Sequence, residues 1–169
     1  MAKNKSTKAV HFSMRIDLGR EVRTAMIDLL NARLADVADL HSQTKQAHGN
    51  VKGPQFMMLH ELFDDFAAEL LEYADTIAER VTALGGAALG TVRMAAAASS
   101  LDEFPADAFD GMAVVAALAD RYAALGASVR AAIAAADEAG DADTADLFTG
   151  VSRGLDKSLW FLEAHLQDK

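Results

Sequence analysis

The sequence predicts an all-α four-helix bundle with a long crossover, containing a short helix, between the second and third long helices. Three observations carry this. Apolar residues recur at three- and four-residue spacing through four segments, and no stretch alternates as a strand does. Only two prolines occur, Pro54 and Pro105, and each stands between helical patterns. The connections run short, long, short, which is the order of a bundle with one crossover.

The first helix is read from about Leu18 to His48 on Val22, Met26, Leu29, Leu30, Leu34, Val37 and Leu40. Asn50 to Pro54 interrupts it, and Pro54 suits the opening turn of a second helix that runs to about Leu84. Gly85, Gly86 and Gly90 stop that helix; they lack the spacing of a nucleotide loop and do not follow a strand. An alanine-rich stretch then leads to Pro105, with room for a short helix. The third helix spans about Gly111 to Glu138, and the fourth carries Leu147, Val151, Leu155, Leu159, Leu162 and Leu166.

Composition limits the chemistry. With 169 residues and 51% hydrophobic content the chain suits one domain with a sizeable core. It has no cysteine, so a metal must be held by oxygen and imidazole nitrogen. No apolar run of signal-peptide length opens the chain, and no stretch reads as the roughly 20 apolar residues of a bilayer span. The expectation is a cytoplasmic protein with no membrane partner.

Charge is unevenly placed. The formal total is −9, yet the first 20 residues hold Lys3, Lys5, Lys8, Arg15 and Arg20 against Asp17, a net +4 that leaves −13 for the rest. Residues 1–15 read as a flexible basic arm and 16–169 as the bundle. The arm is either a solvated tail or, through Lys3, Lys5 and Lys8, a phosphate-binding one.

The second helix carries the candidate chemistry. With His60 at zero on a helical wheel, Leu59, Phe63, Phe66, Leu70, Ile77 and Val81 fall in one core stripe, while Asp64, Asp75 and Glu79 lie near His60 at about 40°, 60° and 100°. Met57, Ala68, Leu71 and Ala78 share that arc, so the face mixes ligands with apolar side chains as a buried interface does. His60 and Glu79 are 19 residues apart, about 28 Å along the axis, too far to share an ion. Both pairs, 60 with 79 and 64 with 75, are centred on 69.5. A two-fold axis beside Glu69 and Leu70 would set His60 and Asp64 of one copy against Glu79 and Asp75 of another, giving two equivalent sites per dimer. His48 lies across the short link from His60 and is a fifth candidate ligand. Imidazole with carboxylate suits iron, and zinc or manganese could occupy the same donors.

The runs LHSQTKQAHGNVKGPQFMMLHELFDDF, DTIAERVTALGGAALGT and GLDKSLWFLEAHLQ closely resemble the Dps family, the ferritin-like mini-ferritins named as DNA-binding proteins from starved cells. The resemblance covers nearly the whole chain. It implies a ferritin-like bundle and a ferroxidase whose ligands are His48, His60, Asp64, Asp75 and Glu79, drawn from two-fold-related subunits. It also implies a hollow homododecamer that oxidises Fe(II), preferably with hydrogen peroxide, stores ferric mineral and protects DNA. Arg80 and Asp156 match an intersubunit salt bridge of the family.

The chain departs from the family at Gly49, where a tryptophan usually follows the first ligand histidine. His41, two turns before His48, is either a packed residue or an accessory ligand. The acidic cluster Asp137, Glu138, Asp141, Asp143 and Asp146 is either a solvated turn or, through Asp141 and Asp146, an iron-attracting pore of the kind the resemblance implies at three-fold axes. An alternative function is that of a structural protein, associated with the nucleoid, that binds DNA weakly and non-specifically through its arm, with little ferroxidase activity.

Overall fold

The computed structural model describes residues 11–167. They form α1 (Arg20–Asn50), α2 (Phe56–Ala83), α3 (Val92–Ala98), α4 (Gly111–Glu138) and α5 (Ala142–Ala164). α1 pairs with α2 and α4 with α5; contacts of α1 with α4 and of α2 with α5 close the bundle, while α3 lies against α1. The fold class and the short crossover helix are as the sequence predicts.

The apolar spacing explains the packing. Ile27, Leu30, Val37 and Leu40 of α1 meet Leu59, Phe63, Leu70 and Ile77 of α2, Leu118, Leu125 and Val129 of α4, and Phe148, Leu155 and Leu162 of α5 in one buried core. Burying each large side chain contributes roughly 1.5–3 kcal/mol, which a lone helix could not gain.

The helix ends differ from expectation where local polar chemistry overrides periodicity. α5 starts at Ala142, five residues before its first expected apolar position, because the Asp141 side chain caps it by accepting from Thr144 N. The start of α2 is later than expected: Pro54 sits in the turn before it, and Gly53 has φ +111°, a value suited to glycine. α4 corrects the reading that no stretch approaches bilayer length. By length and composition this helix is apolar enough to cross a membrane. Its apolar face is nevertheless spent inward, with Val114, Val115, Leu118, Tyr122, Leu125 and Val129 all buried.

A polar stripe on α1 holds the crossover in place. The Asn31 side chain donates to Ala87 O (3.2 Å) and accepts from Leu89 N (2.9 Å). Asp36 accepts from Ser100 N (2.7 Å) and Ser100 Oγ (3.0 Å), and Asp39 accepts from Ser99 Oγ (2.6 Å). Gln43 Nε2 donates to Asp102 O at 3.1 Å. At the chain's start, Phe12 N donates to Gly85 O (2.7 Å), so part of the segment drawn as arm lies against the body. Lys3, Lys5 and Lys8 lie outside the described residues.

Asp36 is fully buried and pairs with Arg33 at 2.8 Å. Replacing it with alanine strands both the guanidinium and the Ser100 N–H, so Asp36→Ala is expected to lower stability by about 3 kcal/mol. Urea unfolding at fixed protein concentration checks this; a loss below about 1 kcal/mol, the size of an exposed ion pair, would contradict it.

Candidate metal centre

The link between α1 and α2 is only residues 51–55. Val51 N donates to Ala47 O (2.9 Å), closing α1, and Phe56 N donates to Gly53 O (3.0 Å) as α2 begins. So tight a reversal sets the last turn of α1 beside the first turns of α2. His48 and His60 therefore meet, twelve residues apart, with ring centroids 3.8 Å apart and planes inclined by 21°.

Their hydrogen bonds are reciprocal. His48 Nδ1 is 2.8 Å from His60 O, and His60 Nδ1 is 2.9 Å from His48 O. A carbonyl only accepts, so each Nδ1 carries a proton, and in the neutral imidazole it is Nε2 that offers the lone pair. This is how metal-binding imidazoles are commonly oriented, with the non-ligating nitrogen held by a backbone carbonyl. The Phe56 ring stands 5.3 Å from that of His60.

One helical turn beyond His60, Asp64 projects from the same face with 58% of its side chain exposed. Lys45 Nζ lies 2.5 Å from Asp64 Oδ1 and His48 Nδ1 lies 3.9 Å from it. The hydrogen bond from Lys45 holds the Asp64 carboxyl below the usual carboxylate range. The sequence reading missed Lys45. Its signal was there, three residues before His48 and hence on the same face of α1.

Asp75 and Glu79 lie further along α2 and are exposed. Within one chain, no three His, Cys, Asp or Glu among the described residues gather as a metal site. The structure brings His48, His60 and Asp64 close together and leaves Asp75 and Glu79 remote from them. Between these two halves of the helix face runs a groove lined by Leu34, His41, Lys45, Leu71, Ala74 and Val92. Leu71 is 56% exposed and Met57 59%, so this face of α2 carries exposed apolar side chains as the wheel suggests. His41 is half-buried in this groove, and burial, followed by the Lys45 charge, lowers its pKa. At Gly49 a Cβ would meet nothing within 4 Å, so the position has room for a side chain.

The other expected groups are distributed differently. Asp141, expected as a pore carboxylate, is 1% exposed and committed inside the subunit. It accepts from Arg80 Nη2 (2.6 Å), Thr144 N (3.0 Å) and Thr144 Oγ1 (2.6 Å). That corrects its assignment: this carboxylate caps α5 and ties it to α2. Asp146 is exposed. Within the chain Arg80 pairs with Asp141, and Asp156 pairs with Arg130 at 2.7 Å.

A ferritin-like domain model matches residues 27–169. The DNA protection during starvation protein of Agrobacterium fabrum is 49% identical over 153 residues, covering 90% of this chain and 94% of that protein. The structure of DpsA14 from Streptomyces coelicolor superposes with a TM-score of 0.90 at 34% identity and 95% coverage of both chains. That of the Dps protein from Vibrio cholerae O1, described as a member of a broad superfamily of ferritin-like diiron-carboxylate proteins, gives 0.84 at 27% identity, covering 89% of this chain and 94% of that one. The chain belongs to the Dps family of ferritin-like proteins.

Proposed function

We propose that this protein is a cytoplasmic ferroxidase and iron store. Its substrate Fe(II) binds between two-fold-related copies, is oxidised there by hydrogen peroxide, and passes as ferric mineral into the cavity of a homododecamer. The observation that carries this reading is the histidine pair: both Nδ1 protons are spent on carbonyls, so both Nε2 lone pairs are free for a metal.

The residues divide the work. His48 and His60 supply neutral nitrogen donors, and Asp64 adds a carboxylate. Asp75 and Glu79 of a second copy complete the set, because the midpoint symmetry of α2 returns them to the histidine end when two helices pack antiparallel. The exposed Leu71 and Val92 supply the apolar surface that such a contact buries. Peroxide takes one electron from each of two ferrous ions, so its O–O bond is cleaved without releasing hydroxyl radical. The donors are equally able to take zinc, which would compete with the substrate. Asp146, exposed at the start of α5, is the remaining candidate for guiding cations inward.

A second activity is supported by the charge asymmetry and by the name of the Agrobacterium relative. The net +4 of the first 20 residues, presented many times on one cage, would hold DNA weakly, non-specifically and only at low salt.

Three outcomes test these readings. Asp75→Ala with Glu79→Ala removes two exposed carboxylates without touching the core, so rapid ferrous oxidation should fall by about 100-fold or more while sedimentation shows the assembly intact; full peroxide-dependent oxidation in the intact double mutant excludes the site. Lys45→Met releases Asp64 from its ammonium partner. Calorimetric titration with Co(II), a redox-stable probe, should then show tighter binding by about three- to tenfold, since the cation no longer displaces an exposed, weakly held ammonium; weaker binding would mean that Lys45 supports the site. Deleting residues 1–10 should abolish DNA retention at low salt and leave ferroxidase activity unchanged, whereas DNA held by the truncated cage would place the determinant elsewhere.

A further inference from the structure

A second cavity, of about 560 Å³, lies between α1 and the crossover, and none of the five candidate metal ligands lines it. Its polar groups come from the stripe that holds the crossover in place. Asp39 Oδ1 accepts from Gln43 Nε2 at 3.2 Å, and Asp39 Oδ2 accepts from Ser99 Oγ at 2.6 Å. Gln43 Nε2 gives its other hydrogen to Asp102 O. Both partners only accept, which fixes the amide with its nitrogen toward them and its oxygen away. Gln43 is 6% exposed, and its Oε1 is buried without a hydrogen-bond partner.

The count of donors and acceptors decides what this cavity suits. The Gln43 amide and the Ser99 hydroxyl have no hydrogen left to give. Asp39 keeps about two of its roughly four lone-pair sites, and Gln43 Oε1 keeps both of its own. Among the described residues neither Asp39 nor Glu103, the second carboxylate lining the cavity, makes an ion pair. Arg121 donates to the backbone carbonyl of Glu103 at 2.6 Å and leaves its side chain free. Leu101 and Phe104 supply apolar wall. Unused acceptors, unpaired negative charge and apolar wall together match an alkylammonium. A metal ion is the poorer match, because no three His, Cys, Asp or Glu among the described residues gather to hold one.

We propose that this cavity binds a free aliphatic diamine, with one ammonium on Asp39, the other on Glu103 and the methylene chain along Leu101 and Phe104. An ammonium carries donors alone, so it suits a carboxylate that has acceptor capacity to spare, and the unpartnered Gln43 carbonyl adds its negative end beside the same group. Apolar walls cover the methylenes as they cover the stem of a lysine. The bound diamine links α1, which carries Asp39, to the crossover, which carries Glu103. None of this rests on the iron chemistry proposed above.

Calorimetric titration of the full-length assembly with diaminobutane, without added metal, should show saturable binding at one site per chain. The melting temperature should rise with ligand concentration, as binding to the folded state requires. Butanediol has the same chain without charge and should bind about tenfold more weakly or worse. Asp39→Asn keeps the shape and removes the charge; it should weaken diamine binding by about tenfold or more, the scale of losing a charge-assisted hydrogen bond. Ala106→Trp, at an exposed position of the cavity wall, should block the ligand with both carboxylates present. Diffuse attraction to a chain of formal charge −9 would weaken as much in Glu138→Gln, which removes an exposed charge at the far end of α4. Equal losses in Asp39→Asn and Glu138→Gln, wild-type affinity in both Asp39→Asn and Ala106→Trp, or a diol that binds as tightly as the diamine overturns the site. Deleting residues 1–10 separates a free amine from a lysine of the chain's own arm. Unchanged affinity supports the free ligand, and affinity raised several-fold overturns that assignment in favour of the arm.

Discussion

A straight helix fixes the distance between its own residues, and the rest of this site follows from that rigidity. Nineteen residues separate His60 from Glu79 on α2, and at 1.5 Å per residue no rotamer closes the gap of about 28 Å. The nitrogen donors and the distant carboxylates can act on one ion only if a second copy supplies the complementary half. The proposed two-fold contact would bury Leu71 and Met57, which are 56% and 59% exposed on the outer face of α2 beside charged residues. A solvated face has no use for them, whereas a two-fold contact needs them to exclude water from the donors.

The histidine end is prepared within one chain. A link of five residues forces α1 and α2 antiparallel, and the reciprocal Nδ1 to carbonyl bonds lock both rings. Neither ring needs a second copy to choose its tautomer. Both rings are therefore oriented within one chain, and on the proposed reading a second copy would add only carboxylates. Such a division also separates folding from chemistry: core residues such as Phe63 and Ile77 hold α2, while its ligands face away from them.

Much of this was legible in the sequence because it depends on helical period. The core stripe, the two prolines and the glycine stop place the helices, and the wheel places His60, Asp64, Asp75 and Glu79 on one face without any knowledge of packing. Features that join separate helices were not legible. Asp141 read as a pore carboxylate because an acidic cluster looks alike whether solvated or capping; only its bonds to Arg80 and Thr144 reveal a buried cap. Nothing in the periodicity couples Gln43 to Asp102, since that contact depends on how the crossover lies across α1. Lys45 lies between these cases: its helical face follows from spacing, but its partner does not.

The Lys45–Asp64 pair bears on how a cation site stays folded before it holds a cation. Packing two copies antiparallel adds the charges of Asp75 and Glu79 to that of Asp64, and like charges gathered at an interface oppose its formation. An ammonium on Asp64 offsets one of them in the empty state. The pair is exposed, with 43% of the Lys45 and 58% of the Asp64 side chain accessible, so solvent screens it and it is weak. A divalent cation, facing several donors at once, displaces so weak a partner readily, and Lys45 can then turn to solvent on its flexible stem. A buried arginine in that position would hold the carboxylate far more firmly and close the site. On the proposed reading a surface lysine would thus serve both assembly without metal and access with it.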